Sequence, residues 1–288
     1  MGITIITDSL NDLTEELLKV VDCKIIPLNV IFPGDDKIYL DGVDITADEI
    51  YERVEKSKTL PHTAAITPSN FIQYFKDELD KGNQVFYTGT GSGISSTFQN
   101  AIIAKEELDP ENKLIALTDS KTLSTGIGLL LLKARKAINE GNDLFKVKEI
   151  VDSYVDKLSV KFCIDILDYL YKGGRCGALS YLFGKVLHIH PLIKVEDNKL
   201  KVAEKPRGKY EKAMDLQIEE FKKDLKYIDM DYVFITHSGP KDCKDYQYIY
   251  DRIKDYIPEG HLFVTRAKAT VSCHCGPRTI GILYIKNK

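Results

Sequence analysis

The hydrophobic pattern changes character along the chain. In the first half, short apolar runs alternate with stretches of helical period. Ile3–Ile6 reads as a strand, and Leu10, Leu13, Leu17, Leu18 and Val21 then recur at helical spacing. Cys23–Val30 reads as a second strand. Thr46–Val54 reads as a helix whose Thr46 and Glu49 have capping-box spacing. Pro68 and Ser69 open a helix carrying Phe71, Ile72, Phe75 and Leu79. A strand at Val85–Tyr87, a glycine-rich turn, and a helix through Phe98, Ala101, Ile102 and Lys105 come next. Leu114–Leu117 is a further strand, and an apolar helix surrounds Leu129–Leu132. A helix with apolar positions from Leu144 to Leu158 closes this half.

The second half has fewer helices and a hairpin signal. Ile193–Glu196 and Lys199–Ala203 flank Asp197-Asn198, a turn pair suited to two antiparallel strands. Tyr232–Thr236, His261–Arg266 and Thr279–Ile285 read as strands, with a helix between the first two. The expected fold is therefore α/β with two domains: a parallel-sheet α/β domain over residues 1–158 and a mixed-sheet α+β domain over 159–288.

Composition narrows the function classes. A chain of 288 residues with 43% hydrophobic residues can bury a large core. A formal net charge of -3 gives no basic excess for neutralising phosphates, which argues against nucleic acid as a partner. No apolar run approaches the ~20 residues of a membrane span. The opening Met1-Gly2-Ile3-Thr4 has no basic region and does not read as a signal peptide; Ile6 stands where a myristoylation motif needs Ser or Thr. Six dispersed cysteines in a chain of this size suggest reduced thiols and a cytoplasmic location.

The densest candidate chemistry is Gly89-Thr90-Gly91-Ser92-Gly93-Ile94-Ser95-Ser96-Thr97, between a strand and a helix. Glycines permit close approach of a ligand, and unpaired amides at a helix start favour an anion. Thr7-Asp8-Ser9 and Thr118-Asp119-Ser120 also fall at strand-to-helix junctions. Each triplet alone reads as a cap or turn. Together with the glycine-rich turn they favour a cleft, because ligands of open parallel sheets bind at the carboxyl ends of the strands.

Other candidates keep two readings. Gly173-Gly174-Arg175 either presents a guanidinium to an anion or forms a solvated turn. Lys205-Pro206-Arg207-Gly208-Lys209 is either solvated or a local anion site. Cys273-His274-Cys275 lacks the second ligand pair of a structural zinc site unless His188 and His190 lie near, so His274 reads better as a core or phosphate-facing histidine. Neither Ser92 nor Ser95 has the glycines of a nucleophile elbow on both sides, and no Walker A sequence occurs.

From Ile5 to Tyr284 the chain resembles the DegV family of bacterial fatty-acid-binding proteins. The resemblance rests on Thr7-Asp8-Ser9, Pro61-His62-Thr63, the run Ser92–Gln99, and Asp119-Ser120. It continues through the run Leu167–Arg175, the run Leu187–Leu192, and His274-Cys275-Gly276-Pro277. It implies one long-chain fatty acid held in a tunnel between two α/β domains, with no cofactor. It also implies a separate fatty acid kinase as partner, which converts the presented carboxylate to acyl phosphate. The family's carboxylate ligands fall on Thr63 and Ser95, with Ser92 and Ser96 beside them. Arg175 and His274 fall at the head-group and phosphate positions, and Arg207 is a third candidate. A transient membrane contact is compatible with such a role.

Three positions depart from the family pattern. Ala64-Ala65-Ile66 replaces Ser-Gln-Pro, Ser96 replaces Gly, and His188-Ile189-His190-Pro191 replaces Asn-Ile-Lys-Pro. The last change removes a permanent charge and bears on partner recognition. The alternative to a carrier is an enzyme acting through Ser95, either an esterase or thioesterase or a small-molecule phosphotransferase. It needs a general base beside Ser95 or a nucleotide site.

Overall fold

Apolar runs on the two sides of the chain's midpoint build different sheets. The computed structural model describes residues 2–177 and 188–287; Met1, and Leu187 of the motif above, lie outside the described residues. In the first half β1 (Ile3–Asp8), β2 (Cys23–Ile26), β6 (Gln84–Thr88) and β7 (Ile115–Thr118) form an all-parallel sheet in the order β2-β1-β6-β7. Parallel strands are covered on both faces, in keeping with the buried runs Ile5–Ile6, Val85–Tyr87 and Ile115–Leu117.

Three short strands, β3 (Asn29–Ile31), β4 (Ile38–Leu40) and β5 (His62–Ala64), form a separate antiparallel sheet in the order β4-β3-β5. The expected single strand Cys23–Val30 is thus two strands in two sheets. Pro27 falls between them; it has no N–H for a ladder, so a continuous strand cannot run through it.

The second half builds a mixed six-stranded sheet in the order β10-β9-β8-β13-β11-β12. Its members are β8 (Leu158–Ile164), β9 (Leu192–Glu196), β10 (Lys199–Glu204), β11 (Val233–His237), β12 (Leu262–Arg266) and β13 (Thr279–Ile285). Only β11 and β12 pair in parallel. Leu158 begins β8 rather than ending the preceding helix, because Lys157 already accepts into the sheet edge from Lys286.

Among the described residues the helices are α1 (Glu15–Val21), α2 (Ala47–Ser57), α3 (Pro68–Leu79), α4 (Thr97–Leu108), α5 (Thr125–Asn139), α6 (Leu144–Val155), α7 (Leu167–Gly173), α8 (Glu211–Asp224), α9 (Asp245–Ile253) and α10 (Ala269–Cys275). The capping box at Thr46 and Glu49 forms. Leu10 and Leu13 do not join α1. Asp8 caps a 3-10 turn at Ser9–Asn11, Asp12 turns left-handed at φ 48°, and Thr14 starts the helix anew.

α5 explains how the sheets meet. All of its residues from Thr125 to Ala134 are buried, as befits a helix packed between two sheets. It packs on β1 and β6 of the parallel sheet and on β8 and β13 of the mixed sheet. One hydrophobic core therefore runs from Ile5 and Phe86 through Leu130 to Phe162 and Leu283. A second core lies under α8 and α9. A third joins the three-stranded sheet and α2 to α10 through Val30, Ile50 and Cys273. Among the described residues no helix is long and apolar enough to cross a membrane.

Candidate functional site

The carboxyl ends of β1, β6 and β7 lie side by side, so the two Thr-Asp-Ser triplets flank the glycine-rich turn. The triplets fill that turn with the protein's own anions. The Thr90 amide donates to Asp8 Oδ2 at 2.6 Å, and the Ser92 amide donates to Asp119 Oδ1 at 3.0 Å. Asp8 also accepts from Leu10 N, and Asp119 from Lys121 N, both at 3.1 Å. Burial pushes the Asp8 carboxyl above its usual range, against the amide bonds that lower it.

The glycines serve the same packing. None of the three has a positive φ. A Cβ at Gly89 would stand 2.4 Å from Asp8 Oδ2, one at Gly91 2.6 Å from Thr122 N, and one at Gly93 1.8 Å from Asn198 O. The close approach expected of a ligand is made here by the chain itself.

The hydroxyls then separate. Ser92 Oγ donates to Asp119 Oδ2 at 2.6 Å and accepts from Asn198 Nδ2 at 2.6 Å. Ser96 is exposed at the start of α4 and makes no capping bond. Neither lines the cavity beside Ser95. Ser95 does. Its Oγ lies 2.9 Å from Thr97 Oγ1 and accepts from Thr97 N at 3.2 Å.

Ser95 faces a cavity of about 60 Å³, whose polar rim also contains Thr63, Arg175 and His274. Its apolar wall includes Leu10, Leu28, Leu123, Leu170, Leu200 and Val271. A smaller cavity of about 30 Å³ shares Leu123, Val271 and Cys275 with it and continues between Val160, Phe162 and Leu283. A larger cleft of about 310 Å³ is bordered by Lys58, His62 and Lys172 and shares Thr63, Arg175 and His274 with the cavity. These three side chains stand at the boundary between an apolar interior and a basic surface cleft.

Thr63 is carried by β5, and His274 by α10. Thr63 Oγ1 and His274 Nε2 are 2.8 Å apart. His274 Nδ1 is buried with no partner among the described residues, and a Cβ at Gly173 would stand 2.4 Å from it. Burial, with smaller contributions from the Arg175 and His62 charges, pushes the His274 imidazole down to about 4. In this environment the ring stays neutral until pH falls well below the usual histidine range. An anion bound in the cavity would act in the opposite direction.

Arg175 is exposed and donates from Nη1 to Gly173 O at 2.6 Å, so it braces its own turn while bordering the cavity. Arg207 is exposed on a turn whose backbone bridges Ile189, and it does not line the cavity. His190, at the position of the family's lysine, has Nδ1 2.8 Å from Asp165 Oδ1 and Nε2 2.9 Å from Gly208 O. Asp165 also pairs with Arg278 at 2.8 Å. Like His188, whose φ of 58° places it in a turn, His190 is not a cavity residue. Among the described residues no group of three His, Cys, Asp or Glu side chains could hold a metal.

Sequence reading missed Thr270 and Leu200 as cavity residues, and Asn198 as a partner of the glycine-rich turn. Gly93 signalled a close approach, but nothing local named the approaching atom.

Comparison with known proteins agrees with this architecture. A relative in Clostridium perfringens, DegV domain-containing protein CPE1310, is 31% identical over 286 residues, covering 99% of this chain and 98% of its own length. The fatty acid binding DegV family protein SAG1342 from Streptococcus agalactiae has a solved structure that superposes with a TM-score of 0.86 at 26% identity, covering 100% of this chain and 99% of that one. A DegV family protein from Thermus thermophilus, described for its fatty acid binding, shares the fold with a TM-score of 0.85 at 24% identity over 99% of this chain and 100% of its own. The family described as "Uncharacterised protein, DegV family" matches residues 2–287, and the chain belongs to the DegV family.

Proposed function

We propose that this protein binds one long-chain fatty acid and presents its carboxylate to a separate fatty acid kinase. The observation that carries the reading is the meeting of Thr63, Ser95, Arg175 and His274, far apart in the chain, where an apolar cavity joins a basic cleft. Hydroxyls at that boundary suit a carboxylate, which needs donors once it leaves water. The wall suits an acyl tail, which gains roughly 0.8 kcal/mol per buried CH₂. The Streptococcus agalactiae relative, named for fatty acid binding, supports the same class of ligand.

Domains of residues 1–158 and 159–288 supply opposite walls in this reading. Thr63, Ser95 and Leu123 face Arg175, Leu200 and His274. The two cavities, about 60 and 30 Å³, fall well below the roughly 300–1,000 Å³ of ordinary ligand pockets, so side chains between them, Leu123, Val271 and Cys275 among those shared, have to move apart for an acyl chain to enter. All six cysteines are free thiols, as expected of a cytoplasmic carrier. The hydrolase alternative is less well supported, because Ser95 Oγ pairs with Thr97 while the imidazole of His274 pairs with Thr63.

Organic extraction of protein purified from a bacterial host tests the first half of the reading. Mass spectrometry should find about one equivalent of free long-chain acid and an unmodified polypeptide. A lipid-free extract, from protein that also fails to take up oleate, would overturn it.

Arg175 tests the second half. With a cognate kinase and ATP, Arg175→Ala should still bind fatty acid but form acyl phosphate about 10- to 100-fold more slowly, the value of a charged hydrogen bond. His274→Ala should behave likewise, more mildly. Normal turnover by both variants would reject this role. Loss of lipid binding or folding in Arg175→Ala would leave only its brace to Gly173.

A further inference from the structure

The β9–β10 hairpin belongs to the six-stranded sheet, yet its tip rests on the turn that carries Ser95. Asp197 and Asn198 are both left-handed, at φ 50° and 59°, the conformation of a tight two-residue hairpin. Asn198 presents its carbonyl to the space beside Gly93 that a Cβ would fill. Its Nδ2 donates to Ser92 Oγ at 2.6 Å and approaches Asp119 Oδ2 at 3.4 Å. The amide orientation follows from the network: the Ser92 hydroxyl already donates to Asp119, so it can only accept from Asn198. Oδ1 of Asn198 is buried and has no partner among the described residues.

The hairpin and the head-group site are mechanically close. Ser95 lies two residues beyond Gly93, and its amide donates to Gly91 O at 3.2 Å within the same turn. Leu200, two residues beyond Asn198, forms part of the cavity wall. Seating the hairpin therefore sets the turn on one side and closes the cavity on the other.

We propose that Asn198 is a positioning residue for carboxylate binding: from the opposite sheet it clamps Ser92, fixes the turn Gly91–Ser95, and so places the Ser95 hydroxyl. The inference rests on the assignment of Ser95 as a carboxylate ligand. A hydrogen bond weakens steeply with misplacement, so a loosened turn weakens the acid's head-group bond without changing the acyl wall. By linkage, a bound carboxylate holds the hairpin down as strongly as the hairpin favours the carboxylate.

The test measures binding of palmitic acid and of hexadecanol to the full chain. Asn198→Gly removes the side chain without straining the left-handed backbone. It should weaken palmitic acid about tenfold, one charged hydrogen bond, and change hexadecanol little. Ser92→Ala, which removes the acceptor, should repeat the pattern in a second background. In a Ser95→Ala chain, Asn198→Gly should have no further effect on the acid. Equal losses for acid and alcohol, or additive effects of Asn198→Gly and Ser95→Ala, would overturn the positioning role alone. Wild-type protein that binds neither ligand would defeat the fatty-acid reading itself, and this inference with it.

Discussion

Replacing Thr63 and Ser95 together by alanine should weaken fatty-acid binding about 100-fold. A hydrogen bond to a charged group contributes about 1.5–3 kcal/mol, and water admitted at the cavity rim recovers part of the loss. A net cost of about 3 kcal/mol corresponds to two decades in affinity. The fold should persist. Thr63 loses its bond to His274, and Ser95 its local bonds to Thr97, each worth about 1 kcal/mol of stability. Titration of a fluorescent fatty acid, with a urea melt as control, checks both statements. Full affinity in the double variant would remove both residues from the carboxylate site.

Asp12→Asn should become more stabilising, relative to wild type, as pH rises from about 4 to about 7. Asp12 Oδ2 accepts from Ser124 Oγ at 2.6 Å, and Oδ1 accepts from Lys268 N at 2.8 Å, next to the helix that carries His274. Burial pushes its carboxyl up to about 7, against those hydrogen bonds and the Lys268 charge, which lower it. Below pH 4 both folded and unfolded chains are protonated there. Between 4 and 7 the unfolded carboxyl ionises while the folded one does not, so wild type loses stability as pH rises. The loss reaches about 4 kcal/mol at the usual 1.36 kcal/mol per pH unit.

Asparagine cannot ionise, tolerates the left-handed φ of 48° at this position, and retains an acceptor for Lys268 N. The buried imidazoles respond with the opposite sign. His237 and His274 are both pushed down to about 4, chiefly by burial, so their contribution is present above pH 6.5 and lost on the way down to 4. They are common to both chains, so the difference between variant and wild type isolates Asp12. Urea melts at pH 4.5 and pH 7.5 measure it; a constant offset between the chains would show that Asp12 ionises normally.

Much of this protein is legible in single segments. The helical periods of Phe71, Phe75 and Leu79, the capping box at Thr46 and Glu49, and the hairpin at Asp197-Asn198 are decided by residues within a few positions of one another. Segment pattern also separates the parallel sheet of the first half from the mixed sheet of the second, while the antiparallel sheet β4-β3-β5 within the first half is not legible in it. The family resemblance points to Thr63, Ser95, Arg175 and His274, and the fold brings these four to one cavity rim.

Tertiary structure alone decides what each polar group meets. Ser92 and Ser95 look alike in sequence, but Ser92 is taken by Asp119 and by Asn198, 106 positions away, and Ser95 remains at the cavity. The turn amides look ready for a ligand anion, yet Asp8 and Asp119 already occupy two of them. His274 looks like a histidine that titrates near neutrality until burial and the neighbouring charges lower it. Periodicity and caps come from short-range sterics and hydrogen bonding along one segment. Desolvation and donor–acceptor competition depend on which distant segments close around a group, and only the packed chain sets that.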